Sequence, residues 1–98
     1  MSFDEKVYEL MGKIPKGRVT TYKIIGDRMG TRAYRAVGGA CGRNPYAPEV
    51  PCHRIVSSSG GLGGFSGGLR EKIKLLEKEG VEVKGGKIVD FKGKLFKF

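Results

Sequence analysis

The densest group of reactive side chains in the sequence is the run Pro51-Cys52-His53-Arg54. A cysteine attacks as its thiolate, and a neighbouring cation or imidazole lowers the pKa of a thiol. Successive side chains on a strand point to opposite faces, so a relay between Cys52 and His53 requires a turn or helical geometry. Pro51 is consistent with such a turn. In an arbitrary sequence, however, this dipeptide more often represents a small buried cysteine beside a hydrogen-bonded histidine.

A carboxylate in an unfavourable place is the second candidate for chemistry. Glu79 lies in the predicted last turn of a helix, where the helix dipole disfavours a negative charge by roughly a few tenths of a kcal/mol. Such a residue can serve another purpose, for example by orienting an imidazole. A plain surface charge explains the position at least as well, so both interpretations stay open at this point.

The cysteine and histidine content predicts free thiols and no metal site. The two cysteines, Cys41 and Cys52, could pair, but the first residues form no export signal, so we expect a reducing compartment, the cytoplasm. The sequence contains one histidine and no Cys-x-x-Cys pair, so the usual zinc ligand set is missing and we expect no metal or cofactor. Cys41 is interpreted as a packing residue in preference to a second reactive thiol.

Three helices are predicted in the first half of the chain. The first has one apolar stripe, with Ser2 as its N-cap and an end at Pro15 and Gly17. The apolar stripe of the first helix is Phe3, Val7, Leu10 and Met11. The residues of the second helix that are expected to face inward are Ile24, Ile25 and Met29. Thr20 or Thr21 caps the second helix, and Gly30 ends it.

The second and third helices together resemble a helix-turn-helix motif. The third helix is predicted from about Thr31 to Cys41 and would be the recognition helix, with Arg32 and Arg35 on one face at i, i+3. The pair Gly38-Gly39 is unfavourable in a helix by about 1 kcal/mol per residue, which makes sense if another backbone, of protein or DNA, comes close. An ordinary packed helix pair remains the alternative.

The second half of the chain alternates between loops and short elements. We expect a loop over residues 42–51, a short strand at Ile55-Val56 and a Ser/Gly-rich loop over residues 57–68. A further helix follows up to Glu79, and a hairpin turns at Gly85-Gly86. The apolar face of that helix is predicted to be Leu69, Ile73 and Leu76. The predicted fold is one domain over residues 1–98, mainly α with a small β wing: a winged helix-turn-helix DNA-binding domain.

Charge favours a polyanionic partner, and the lack of a long apolar run disfavours a membrane span. The 98 residues contain 19 Lys and Arg against 10 Asp and Glu, a formal charge of +9. Such a field attracts nucleic acid without regard to sequence, although a solvated basic surface carries the same charge. No apolar run approaches the roughly 20 residues that a membrane span requires, so no membrane partner is expected.

Several ordered motifs resemble the O6-alkylguanine-DNA alkyltransferase family. The resemblance covers nearly the whole chain, from about residue 14 to residue 89, and a set of motifs at family-like spacing is far more specific than any one of them. The motifs are Gly17-Arg18-Val19-Thr20-Thr21-Tyr22, Arg35-Ala36-Val37-Gly38-Gly39-Ala40, Asn44-Pro45, Pro51-Cys52-His53-Arg54-Ile55-Val56, Gly63-Gly64-Phe65-Ser66-Gly67-Gly68-Leu69 and Glu79-Gly80.

This resemblance implies a direct-reversal DNA repair protein in which each molecule acts once. Cys52 would accept an alkyl group from O6 of guanine, with O4 of thymine a further substrate left open. His53 would act through a water to deprotonate Cys52, and Glu79 would hold the imidazole. Asn44 would be the hinge between the recognition helix and the Cys52 turn, and Tyr22 would push the target phosphate and help protonate the leaving guanine.

The resemblance also implies a DNA-binding surface and a base pocket. Arg35 would enter the minor groove and fill the gap left by the flipped nucleotide. The other expected DNA-binding residues are Thr21, Tyr22, Arg32, Ala36, Gly38 and Ser58, and the expected pocket residues are Ile55, Gly63, Gly64, Phe65 and Ser66. The expected partner is double-stranded DNA containing O6-alkylguanine, bound by a monomer.

Two features depart from the larger family members. The usual N-terminal domain is missing, so the chain is expected to be a minimal catalytic domain or a piece of a longer protein. Phe65 stands where many members have Tyr, which removes a phenolic hydrogen bond but leaves ring contact with the base.

Three other functions compete with alkyl transfer. A non-enzymatic alkyltransferase-like protein would bind the lesion and recruit excision repair, but such proteins have Trp or another residue in place of the cysteine. A winged-helix transcription factor would leave Cys52, His53 and Glu79 without a use. A cysteine hydrolase lacks an obvious oxyanion motif.

Overall fold

Short helices dominate the structure, a computed structural model that describes residues 1–46, 49–63 and 68–98. Two small sheets accompany them. The helices are α1 (Phe3–Met11), α2 (Tyr22–Met29), α3 (Tyr34–Gly42), α4 (Leu69–Lys78) and α5 (Phe91–Lys94), and a 3-10 turn spans Cys52–Arg54. The strands are β1 (Thr20–Thr21), β2 (Ile55–Val56), β3 (Val83–Lys84) and β4 (Lys87–Ile88).

Helix α1 begins as the sequence predicts and ends earlier. The Ser2 hydroxyl accepts a hydrogen bond from the Glu5 amide at 3.2 Å, and the Glu5 carboxylate accepts one from the Ser2 amide at 3.0 Å, which completes a capping box. Gly12 caps the other end, so the predicted end at Pro15 and Gly17 is late. The apolar stripe packs inward as predicted, with Val7, Leu10 and Met11 buried.

Helices α2 and α3 form the predicted helix-turn-helix. The Thr21 hydroxyl accepts a hydrogen bond from the Ile24 amide at 3.0 Å and caps α2, whereas the Thr20 hydroxyl donates to the Phe96 carbonyl. Gly30 ends α2 with a φ of 76°, a left-handed conformation that glycine adopts without steric cost.

The recognition helix begins later than the sequence predicts, at Tyr34 and not at about Thr31. Helix α3 begins at Tyr34, because the Thr31 hydroxyl accepts a hydrogen bond from the Ala33 amide at 3.1 Å and holds this segment in a turn. Arg32 therefore precedes the helix. The expected i, i+3 helical pair of Arg32 and Arg35 is wrong, although both side chains are exposed.

The two sheets join distant parts of the chain. Strands β1 and β2 are parallel, with Thr20 opposite Ile55 and Thr21 opposite Val56, so the segment after the Cys52 turn lies beside the entry to α2. Strands β3 and β4 form the predicted hairpin, or wing. Gly85 and Gly86 both have positive φ, as tight hairpin turns require.

The buried residues form two clusters that meet near β2. One cluster unites α1, α2, α3 and the 3-10 turn and includes both cysteines, and the other unites α4 and the wing. The predicted inward face of α4 is partly wrong: Leu69 is 51% exposed, whereas Lys72 is fully buried and points inward together with Leu76. In the described part of the chain, no helix is long and apolar enough to cross a membrane.

Candidate active site and DNA-binding face

The reactive cysteine candidate lies on the 3-10 turn that directly follows the loop after α3. Cys52 is buried, and its amide donates a hydrogen bond to the Val50 carbonyl at 2.9 Å. The same carbonyl accepts a hydrogen bond from the Asn44 side-chain amide at 2.7 Å. Asn44 stands just beyond the C-terminal end of α3. One carbonyl group therefore connects the end of the recognition helix to the turn that bears the thiol.

His53 shares this turn and is held by a carboxylate from the end of α4. The His53 Nε2 atom lies 3.1 Å from Glu79 Oε1, and only 2% of the imidazole is exposed. His53 Nδ1 is buried and has no hydrogen-bond partner among the described residues. A tautomer with the proton on Nε2 satisfies the contact with Glu79 and leaves a lone pair on Nδ1.

Arg54 completes the network on Glu79. Its guanidinium donates to Glu79 Oε1 at 2.8 Å and to Oε2 at 2.5 Å, and it donates to the Ile14 carbonyl at 2.8 Å. A forked pair of this kind is geometrically specific. The carboxylate that holds the imidazole is thus itself held in place from a second side.

The electrostatics of this network favour a neutral imidazole beside an ionised carboxylate. Burial lowers the pKa of His53 below its usual value of 6.5, and the cations of Arg54 and Lys72 act in the same direction while Glu79 opposes them. Burial raises the pKa of Glu79, but hydrogen bonds from Arg54 and His53 outweigh this and bring it below 4.5. Near neutral pH, His53 is therefore able to accept a proton.

Tyr22 presents a protonated phenol to Gly63, the first residue of the predicted glycine-rich loop over residues 63–68. Burial, together with the nearby thiols of Cys41 and Cys52, raises the pKa of Tyr22 to about 12. A side chain on Gly63 would place its Cβ 3.1 Å from the Tyr22 hydroxyl oxygen, and Gly63 has a φ of 70°. Glycine at this position lets the backbone of the loop approach the phenol closely.

Cys41 has the surroundings of a packing residue. It is buried in the α1–α3 core, where its Sγ lies 3.8 Å from the sulfur of Met11. Burial raises the pKa of this thiol to about 12, so it is protonated and unreactive near neutral pH. Both cysteines are free thiols. Among the described residues, no group of three His, Cys, Asp or Glu side chains could hold a metal ion.

Comparison with known proteins identifies the family. Residues 2–81 match the model of the 6-O-methylguanine DNA methyltransferase, DNA binding domain. The chain belongs to this family. The resemblance inferred from the motifs is confirmed.

Relatives in the methyltransferase family are similar in sequence and in structure. A methylated-DNA--protein-cysteine methyltransferase of Metallosphaera sedula is 47% identical over 85% of this chain and 52% of its own length. The crystal structure of Mycobacterium tuberculosis OGT in complex with DNA is 44% identical over 81% of this chain and 50% of that one, with a TM-score of 0.78. The chain spans about half the length or less of the first curated relatives it matches.

One structural neighbour matches from end to end. S. pombe Atl1, in complex with damaged DNA containing O6-carboxymethylguanine, is 31% identical, with a TM-score of 0.85 and full coverage of both chains. This likeness extends the fold match through the wing and α5. Together with the OGT structures it confirms the predicted helix-turn-helix architecture.

The family's expected DNA-binding residues lie on or next to the helix-turn-helix, with one exception. Arg35 and Ala36 are exposed on α3, and Gly38 faces the Tyr22 ring, from which a Cβ at this position would lie 3.8 Å away. Thr21 is only 3% exposed, and its hydroxyl is used to cap α2. Ser58 is exposed in the turn after β2, away from the helix pair in sequence.

The expected pocket residues divide into three groups. Gly63 lies against Tyr22, as described above. Ile55 is fully buried in the same core cluster as Cys52. Gly64, Phe65 and Ser66 lie outside the described residues, so their expected contacts with the base remain predictions.

Two residues of the site were missed by sequence reasoning. Arg54 belongs to the Cys52 motif, but nothing in its position alone indicates the pairing with Glu79. Lys72 carried a usable signal, because it lies four residues before Leu76 on the inward face of α4, where an apolar residue is expected. Lys72 is the largest side chain that is fully buried in the described part of the chain.

Proposed function

We propose that this chain repairs DNA by moving an alkyl group irreversibly from O6 of guanine to the sulfur of Cys52, once per molecule. The observation that carries the proposal is the shared Val50 carbonyl, which joins Asn44 at the end of the recognition helix to the turn of Cys52 and His53. A helix placed in the minor groove would thereby position the thiol for a base flipped out of the duplex.

Activation of the thiol is assigned to His53. The imidazole is neutral near pH 7, and its free Nδ1 lone pair would accept the Cys52 proton through a water. Glu79 would stabilise the imidazolium that forms, and Arg54 would keep Glu79 oriented. The resulting thiolate is the nucleophile.

The transfer step is a displacement at the alkyl carbon. The bond from Cys52 sulfur to carbon forms while the bond from carbon to O6 breaks, and the electron pair leaves with the guanine. Tyr22 would supply hydrogen-bond or proton donation to the departing base, which its protonated phenol next to Gly63 supports. The product is a neutral thioether, and no described group is able to reverse it, so each molecule would act once.

The DNA-binding role follows from the exposed face of the helix-turn-helix. Arg35 would fill the space of the flipped nucleotide, and the small residues Ala36 and Gly38 would let α3 lie in a narrow minor groove. Thr21, Arg32 and Ser58 would contact the flanking backbone. We further propose that residues 1–98 act as a single domain, as a monomer, in the cytoplasm and without a cofactor.

Intact-protein mass spectrometry tests the proposal. A duplex with one O6-methylguanine should add one methylene to the protein, the added mass should map to Cys52, and it should stop at one per molecule. The Cys52→Ala variant should gain nothing, and Cys41→Ala should react like the wild type. Selective binding of the damaged duplex without any mass gain would contradict alkyl transfer and favour lesion flagging instead.

A further inference from the structure

Apart from its charge, which helps to lower the pKa of His53, a buried lysine beneath the proposed active site has no assigned role in the proposed reaction. Lys72 lies in the first half of α4 and is fully buried. Burying an ammonium group is costly unless its charge is compensated and its protons are donated. Burial lowers the pKa of Lys72 to about 8, while the thiols of Cys41 and Cys52 act in the opposite direction. A leucine would suit the helix pattern here without this cost.

The contacts of Lys72 join two segments that matter for the site. Its Nζ atom donates to the Ile55 carbonyl at 2.6 Å and to the Leu62 carbonyl at 2.5 Å. Ile55 directly follows the turn of Cys52 and His53, and Leu62 directly precedes Gly63, which lies against Tyr22. Helix α4 also packs against the turn itself.

We propose that Lys72 is a positioning residue that sets the spacing between the Cys52 turn and the start of the glycine-rich loop. This inference rests on the proposed function, in which Cys52 supplies the nucleophile, and on the expectation that this loop lines the base pocket. A shift of about 1 Å between nucleophile and target can cost a reaction about 100-fold in rate. Two hydrogen bonds from one buried group restrain both segments relative to a rigid helix.

The first experiment compares Lys72→Met with Lys74→Met. Methionine has a similar length but cannot donate, and Lys74 is an exposed lysine of the same helix, which controls for the loss of one charge. At saturating O6-methylguanine duplex, Lys72→Met should transfer the methyl group about 10- to 100-fold more slowly than the wild type. The affinity for an undamaged duplex should stay within about twofold, and Lys74→Met should match the wild type in rate.

Two further measurements separate positioning from a general loss of structure. Iodoacetamide needs no base pocket, so its rate of reaction with Cys52 should change less than about threefold in Lys72→Met. Amide hydrogen exchange should become faster in residues 57–63 and unchanged in α1 and α2. A large rise in iodoacetamide reactivity at both cysteines would instead indicate loosening of the whole core and would overturn the proposal.

The remaining outcomes are also decisive. An unchanged transfer rate in Lys72→Met would overturn the inference. If Lys72→Met does not fold, Lys72→Gln takes its place, because its shorter side chain is neutral but still ends in N–H donors. Failure of both to fold would make Lys72 a general core residue and overturn the proposal. If the wild type itself transfers nothing, the proposed function fails, and hydrogen exchange alone then decides whether Lys72 joins the two segments.

Discussion

At the scale of single residues, the site depends on the Glu79 carboxylate, which binds both the Arg54 guanidinium and the His53 imidazole. Glu79 accepts hydrogen bonds from both Arg54 and His53 and is mostly shielded from water. An ionised group with several donors keeps its charge to low pH, and a neighbouring imidazole gains a fixed orientation from it. The chemistry proposed for Cys52 therefore depends on a residue that does not touch the substrate.

The Glu79→Gln variant should separate orientation from binding. Its amide has nearly the same shape but no charge, so it holds Arg54 and an imidazolium less well. We expect the maximal rate of methyl transfer to fall about 10- to 100-fold, the range typical of losing a partner that orients a functional imidazole. The affinity for undamaged DNA should not change. Single-turnover kinetics measure the rate and duplex titration the affinity, and Glu77→Gln, an exposed neighbour on the same helix, should behave like the wild type.

The pH dependence of transfer should follow the lowered pKa of His53. Transfer requires the neutral imidazole, so the rate should stay high at pH 6.5 and fall only at lower pH. Glu79 raises the pKa of His53, so Glu79→Gln should move this acidic limb to still lower pH even though its plateau is lower. A rate profile that bends at or above about pH 7 in the wild type would contradict the assignment of His53 as the base.

At the scale of elements, the helix-turn-helix depends on glycines in two different surroundings. Gly26 on α2 faces the Tyr34 ring on α3, and a Cβ there would lie 2.6 Å from it. Gly42, the last residue of α3, has open space around the same position. Helices α2 and α3 can approach closely because Gly26 has no side chain to meet the Tyr34 ring. A side chain on Gly42 would meet no other group.

These glycines make a matched pair of alanine variants. Gly26→Ala should destabilise the fold by about 1–3 kcal/mol through overpacking and should weaken DNA binding, because α3 is pushed away from α2. Gly42→Ala should be neutral or stabilising by up to about 1 kcal/mol, as alanine is the better helix former. Urea unfolding measures the change in the free energy of unfolding, and duplex titration measures the change in DNA affinity. Equal effects of the two substitutions would rule out this account of the helix contact.

At the scale of the whole molecule, charge and fold act together. The formal charge of +9 on 98 residues attracts any phosphate backbone, and the exposed face of α3 gives that attraction a place to act. A repair protein must search undamaged DNA of every sequence, so binding that ignores sequence suits the proposed function.

Binding to undamaged duplex should therefore depend strongly on salt and weakly on sequence. With about four phosphate contacts, the affinity should fall about 100-fold between roughly 50 and 200 mM salt. Arg35→Ala should reduce transfer from the lesion more than it reduces this non-specific affinity, since the side chain is assigned to the flipped-base gap. Fluorescence anisotropy on several duplexes of equal length measures the affinity, and single-turnover kinetics measure the transfer. A marked preference for one undamaged sequence would argue for a transcription factor.

Local sequence determined most of the elements and the family. The Ser2 capping box, the Thr21 cap, Gly30 and the Gly85-Gly86 turn each act within a few residues, so their outcome can be predicted without knowing the rest of the fold. The motif around Cys52 was equally local, and its requirement for a turn was correct. Some helix boundaries were predicted less well. The Thr31 hydroxyl accepts a hydrogen bond from the Ala33 amide, and α3 therefore begins at Tyr34, three residues later than predicted.

Only the tertiary structure decided which distant groups meet. Glu79 reaches His53 and Arg54 across more than twenty residues, and Asn44 and Cys52 converge on one carbonyl. Lys72 shows the limit most clearly: the predicted apolar face of α4 was Leu69, Ile73 and Leu76, yet the structure buries Lys72, and two carbonyls from other segments accept its hydrogen bonds. Periodicity records which face of a helix is buried, but the polar groups it is buried against are set by chain segments elsewhere in the sequence.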